Sequence, residues 1–263
     1  MVIKKYIDEL CSEGKHFFTA KEIKEKFGLS DSSVWMALSR LKEKGEITSP
    51  ARGYYLIIPR EYRTLGSLPP EHFIHALMQF HQEPYYVGLL SAAKRYGAAH
   101  QQPQVFQVMV SKFRKPIRMG RIKVEFIANK QVEKVSTKQF NTPRGVVLFS
   151  TPEATAIDLV SYPSHSGGLD NVLTVLTELV EEMQAEPLRE VLACCRRRSP
   201  IQRLGYMLEL IGRNDLSDVV EEYLKSKAKY PNNVLLDSRF PSKEGEVNKK
   251  WRVIINIELE SDV

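Results

Sequence analysis

The chain has 263 residues, 43% of them hydrophobic and 27% charged, with a formal net charge of +6. That is enough apolar material for two or three packed domains, and it is unlike disordered, collagenous or disulfide-framework chains. No run of about 18 apolar residues occurs, so nothing reads as a membrane span.

Three cysteines, Cys11, Cys194 and Cys195, are odd in number and too few for a disulfide framework. They read as buried thiols in a reducing cytoplasm. The first ten residues lack the apolar stretch and cleavage site of a secretory leader, which agrees with a cytoplasmic location.

In the first segment Ile3, Ile7 and Leu10 recur at helical spacing, and Gly14 ends that helix. Thr19-Ala20-Lys21-Glu22 has the pattern of a capping box, opening a short helix with Ile23 and Phe27 inward. Gly28 supplies a turn, Ser30 caps a third helix, and Gly45 stops it. Glu46-Ile47-Thr48 and Tyr54-Tyr55-Leu56-Ile57 read as short strands joined by a turn at Pro50-Ala51-Arg52-Gly53. Three helices and a hairpin with an arginine at its tip predict a winged helix-turn-helix over residues 1–65.

The third helix carries the chemistry. Residues 100° apart put Val34, Ala37, Leu38 and Leu41 on a packing face. Ser32, Ser33, Met36, Ser39 and Arg40 fall on the opposite face. Small hydroxyls let a helix enter the major groove, Arg40 can pair bidentately with guanine, and Met36 can touch a thymine methyl. Ser32 and Ser33 sit at the helix N-terminus, where N–H groups favour a phosphate. Lys42, Lys44 and Arg52 suit backbone phosphates. Trp35 is read as a packing residue. Double-stranded DNA is the expected partner, and docking of the wing on a protein is the rival. The local charge is modest: residues 1–60 hold 11 Lys+Arg and 8 Asp+Glu, a balance of 11 − 8 = +3.

The second segment, residues 66–166, is a mixed α/β subdomain. Glu71–Phe80 and Tyr86–Tyr96 read as helices, and Gln104–Val110, Ile122–Ile127 and Val146–Phe149 as strands. From Lys94 to Val124 there is no acid. Arg114, Lys115, Arg118 and Arg121 in that stretch are candidate auxiliary nucleic-acid contacts, or else a solvated strand edge. Thr151-Pro152-Glu153 opens another helix, with Glu153 as a first-turn charge and Asp158 as a helix-surface or capping acid.

The third segment, residues 167–263, is helical with terminal strands. One apolar stripe runs from Leu169 to Met183, and further helices fall at Leu188–Cys195, Ile201–Ile211 and Leu216–Lys225. Trp251 to Leu259 alternates with a two-residue period, a strand with one buried face. Ser238–Lys250 reads as a long polar loop.

No phosphate-binding glycine loop and no GxSxG elbow occurs, and His72, His75 and His81 read as surface histidines without metal-ligand spacing. The chain therefore reads as a non-enzyme with no cofactor and no metal. A metabolite-responsive repressor and a nucleic-acid-processing enzyme with a winged-helix delivery domain are the competing readings.

The order of motifs resembles the antitoxins of abortive-infection E (AbiE) systems, which are type IV toxin–antitoxin modules. The resemblance rests on Leu38 to Gly45 with Gly53-Tyr54-Tyr55-Leu56, then Tyr86 to Ala93, Ile122 to Phe126, and Ser150 to Leu159. It continues through Gln202 to Glu209 and Asn248 to Trp251. It implies an α+β chain with an N-terminal winged helix-turn-helix and a C-terminal antitoxin region. It also implies repression of the protein's own operon through inverted repeats, and functional opposition to a nucleotidyltransferase-like toxin without need of a stable complex. Ser33, Arg40 and Arg52 are the residues it carries over.

Overall fold

A computed structural model describes residues 2–98, 103–227, 232–240 and 245–259. The chain folds as two compact units, Met1–Tyr86 with Gln104–Val132 and Gln139–Leu148, and Val87–Pro103 with Glu133–Lys138 and Phe149–Val263.

The first unit begins with α1 (Val2–Ser12), β1 (Phe17–Thr19), α2 (Ala20–Phe27), α3 (Asp31–Glu43), β2 (Ile47–Ala51) and β3 (Tyr54–Ile57). Ile3, Ile7 and Leu10 of α1 meet Ile23 of α2 and Val34, Leu38 and Leu41 of α3 in one core, closed by Phe18, Ile47 and Ile57. Strand β1 was not anticipated: three residues are too few to show a period. It pairs antiparallel with β3, Phe17 opposite Leu56 and Thr19 opposite Tyr54, giving a sheet in the order β1-β3-β2. Strand β2 runs through Pro50 to Ala51, so the turn is confined to Arg52-Gly53. Proline is admissible because β2 is an edge strand.

Next come α4 (Ile74–Phe80), β4 (Tyr85–Val87) and α5 (Leu89–Arg95), then β5 (Phe106–Val110), β6 (Ile117–Met119), β7 (Ile122–Ala128), β8 (Thr137–Thr142) and β9 (Gly145–Ser150). Strands β4 to β9 form one sheet in the order β6-β7-β5-β4-β9-β8. Strand β5 is parallel to β7, and β6 is antiparallel to it. Tyr86-Val87, expected as the start of a helix, belongs to a strand. Its helix begins only at Leu89, after a left-handed backbone step there (φ +54°).

The second unit is built around α6 (Pro152–Ser161), which is buried from Pro152 to Val160. Thr151 caps it as expected, accepting from the Ala154 N–H at 3.3 Å. Around it pack α5, α7 (Leu169–Leu179), α8 (Ala185–Cys194) and α9 (Arg198–Ile211), with α10 (Asn214–Lys225) on α8 and α9. The apolar stripe breaks after Leu179 into a 3-10 turn, Val180–Glu182, instead of continuing to Met183.

A small sheet of β10 (Val234–Leu235), β12 (Val253–Ile255) and β11 (Glu246–Asn248) completes it. Part of the expected polar loop is thus a strand, while residues 241–244 of that loop lie outside the described residues. Strand β12 stops at Ile255 although the alternation runs on. The Asn256 side chain then bonds the backbone of Asp237 and Phe240, satisfying groups a longer ladder would have used.

Candidate nucleic-acid interface

The α2–α3 pair is fixed by caps at both ends of its turn. Thr19 N–H donates to Glu22 Oε2 at 2.6 Å, and Glu22 N–H donates to Thr19 Oγ1 at 3.1 Å, the reciprocal capping box. Burial opposes ionisation of Glu22, but the Thr19 bonds and Lys15 at 3.0 Å prevail and hold its carboxyl below the ordinary value. Gly28 takes the left-handed conformation that ends α2 (φ +60°). Lys24 Nζ reaches Asp31 Oδ1 at 2.7 Å, tying α2 to the first turn of α3 and neutralising the acid there.

Ser30 caps α3, accepting from Ser33 N–H at 3.2 Å, and its hydroxyl also meets those of Ser32 (3.0 Å) and Ser33 (2.9 Å). The helix then presents the two faces expected of it. Val34, Leu38 and Leu41 are buried, and Ser32, Met36 and Arg40 are exposed with Ser33 and Ser39 half-buried. Trp35 corrects the sequence reading: it is 69% exposed, so it packs on nothing substantial and belongs to the open face beside Met36. At position 35 the helical rotation sets it just off the core stripe, a boundary that periodicity alone cannot resolve.

Lys42, Lys44 and Arg52 are exposed, and they and Arg40 enter no ion pair among the described residues. The hairpin tip that carries Arg52 is anchored. Ala20 N–H donates to Gly53 O at 2.9 Å, and Ser49 Oγ bridges Ala51 O (2.8 Å) and Tyr54 O (2.9 Å). The tip is therefore referenced to the start of α2, and this hairpin position was not legible beforehand.

The β6–β7 hairpin lies in the same unit, with β6 packed beside β2. Lys115, Arg118 and Arg121 are exposed and free of ion pairs among the described residues, and Arg118 stands directly opposite Lys123. Like charges opposite each other across strands destabilise a ladder unless something anionic offsets them. Arg114 is engaged differently, its guanidinium held by the carboxylate of the half-buried Glu83.

Other candidates moved. Glu153 stands in the first turn of α6 as expected but is buried, 3% exposed, and Asp158 is likewise buried, 4% exposed, rather than a helix-surface acid. Glu153 Oε1 accepts the Gln184 N–H at 3.0 Å just before α8, a long-range contact invisible to local pattern. His72, His75 and His81 are half-buried, not surface groups. His75 hydrogen-bonds with Tyr85 (3.1 Å), and His72 accepts from Arg144 (3.3 Å). Cys194 is exposed and Cys11 and Cys195 are half-buried, so only part of the buried-thiol expectation holds. Among the described residues no three His, Cys, Asp or Glu side chains gather as a metal site, and no helix is long and apolar enough to cross a membrane.

A capped helix-turn-helix backed by a braced hairpin, on a larger α+β chain, places the protein in the winged helix-turn-helix class. Residues 5–58 match the family described as "Transcriptional regulator, AbiEi antitoxin", and residues 86–210 match the "AbiEi antitoxin C-terminal domain". The chain belongs to the AbiEi antitoxin family. Its fold is similar to the crystal structure of the RV2827C protein from Mycobacterium tuberculosis. That likeness has a TM-score of 0.66 at 15% identity, over 95% of this chain and 90% of that one. No curated protein sequence matches it.

Proposed function

We propose that this protein represses its own operon by reading inverted repeats in double-stranded DNA, and that it is the antitoxin of a type IV abortive-infection system. The observation that carries the DNA half is the open face of α3, where Met36 and Arg40 stand clear of the core with no acid bonded to the arginine. Arg40 reads guanine, and Ser32, Ser33 and Ser39 give the helix a low profile in the major groove. Trp35 lines the same face. Lys42, Lys44 and Arg52 take flanking phosphates, and Lys115, Arg118 and Arg121 extend that contact. Arg114 is engaged by Glu83 instead. Family membership supports the antitoxin half, in which the second unit opposes a nucleotidyltransferase-like toxin without a lasting complex.

The test is binding of the purified full chain to its upstream DNA and to a scrambled duplex across a salt series. Selective binding that survives about 150 mM salt is expected, since contacts to phosphate alone weaken steeply there. Equal, salt-labile binding to both duplexes overturns the repressor reading.

A further inference from the structure

Between β5 and β6, residues 111–116 form a loop that holds Phe113 in solvent. It is 80% exposed, the most exposed large apolar side chain among the described residues. Its chain neighbours are Lys112 and Arg114, then Lys115, and the acid-free stretch from Lys94 to Val124 surrounds it in sequence.

The loop is held in place from beneath. Glu83 accepts from Ser111 Oγ (3.0 Å), from the Lys112 N–H (3.2 Å) and from the Arg114 guanidinium. Three bonds to one carboxylate fix the loop on both sides of Phe113. Burial disfavours the charged form of Glu83, yet these bonds hold its carboxyl below the ordinary value, so the clasp stays ionised at neutral pH.

Its position is also set. Three residues before Glu83, the Phe80 ring lies 5.0 Å from that of Tyr54, which follows Gly53 at the tip of the β2–β3 hairpin. Strand β6, which the loop enters, packs beside β2. The Phe113 loop therefore stands next to the wing, in the same unit.

We propose that Phe113 is an apolar prong that enters the DNA minor groove beside the wing and wedges against a base step, with Lys112 and Lys115 on the bordering phosphates. This rests on the duplex-reading proposal above and extends it to a residue outside the winged helix. A protein-docking patch needs contiguous apolar surface of a few hundred Å². An exposed phenyl ring with Lys112 and Lys115 beside it in the chain instead matches a narrow slot between two anionic walls, where apolar wedges unstack base steps.

The test places 2-aminopurine at successive steps of the bound duplex and compares the full chain with Phe113→Ala, Phe113→Leu and Lys115→Ala. The wild type should raise fluorescence at one step flanking the α3 contact. Phe113→Ala should abolish that signal and weaken binding about tenfold, the scale of a lost aromatic–base contact. Its salt slope should not change, because no charge is removed. Phe113→Leu should keep part of the signal. Lys115→Ala should keep the signal and flatten the salt slope. Because Phe113 is exposed, an unchanged melting temperature verifies that the variants fold.

Selective binding in which Phe113→Ala matches the wild type in both signal and affinity overturns the prong while leaving the repressor reading intact. If the wild type shows no preference for the upstream DNA, the repressor reading falls. The prong is then judged on whatever duplex is bound at low salt: loss of the signal in Phe113→Ala upholds it, and a wild type without signal removes it.

Discussion

Gly66 and Gly120 face each other backbone to backbone: a Cβ on Gly66 would lie 2.8 Å from the Cα of Gly120, and one on Gly120 would lie 2.7 Å from the Cα of Gly66. Both have positive φ, +76° and +54°, and the Arg121 N–H next to the contact donates to Leu65 O at 2.9 Å. The β6–β7 hairpin is pinned here to the segment that follows the winged helix. Gly120→Ala adds a left-handed residue and a backbone clash, so it should destabilise the chain by about 2–4 kcal/mol. Urea unfolding measures this, and a midpoint equal to wild type would show that the pinch is slack.

Arg40→Ala should cost about 1–3 kcal/mol on a guanine-containing operator and far less on random duplex. Arg52→Ala should weaken both duplexes alike and lower the salt slope by about one. Fluorescence anisotropy on paired duplexes separates the two behaviours. Equal losses on both duplexes for Arg40→Ala would reassign it to phosphate.

Acid should loosen the first unit. Burial lowers the pKa of His16, His72, His75 and His81, and for His72 the neighbouring Arg144 adds to it. A depressed histidine pKa means that the unfolded chain binds the proton more readily. The stability is then fully present above the ordinary value of 6.5 and is lost as pH falls through the lower folded values. Melting temperature should drop from pH 7 to pH 5, and His72→Gln should reduce the drop. A flat profile in the wild type would contradict this account.

Gly205 in α9 faces the ring of Trp251, which is fully buried and donates from Nε1 to Glu209 at 3.1 Å. Alanine would favour the helix by about 1 kcal/mol, but the ring occupies the place of its Cβ, and overpacking costs about 1–3 kcal/mol. Gly205→Ala should therefore be net destabilising and should alter the buried-tryptophan band in near-ultraviolet circular dichroism. The other tryptophan, Trp35, is exposed and gives a separable signal.

What was legible followed from local rules. The Thr19–Glu22 box and the Ser30 and Thr151 caps rest on contacts within four residues, and the inward faces of α1 and α3 on the helical period alone. What was missed depends on distant partners. Phe17–Thr19 becomes a strand only because β3 lies beside it. Tyr86-Val87 could begin a helix or end a strand, and its pairing with Phe149 decides the matter. Glu153 is the first-turn charge the sequence suggests, but its burial was hidden because the Gln184 amide that holds it is 31 residues away. On the candidate interface, the exposure of Ser32, Met36 and Arg40 on α3 was legible and that of Trp35 was not, whereas the Glu83 clasp on Arg114 required the fold.

The side-by-side lie of β2 and β6 has a practical consequence for handling the protein. Each is the outermost strand of its own sheet, and such borders recruit strands from other molecules when left bare. Each here screens the other, and Pro50 blunts one of them further. A winged-helix fragment cut near residue 65 would carry β2 without its neighbour. Such a fragment should self-associate at concentrations where the whole chain stays dispersed, so sedimentation of the two would expose what the β6–β7 hairpin shields.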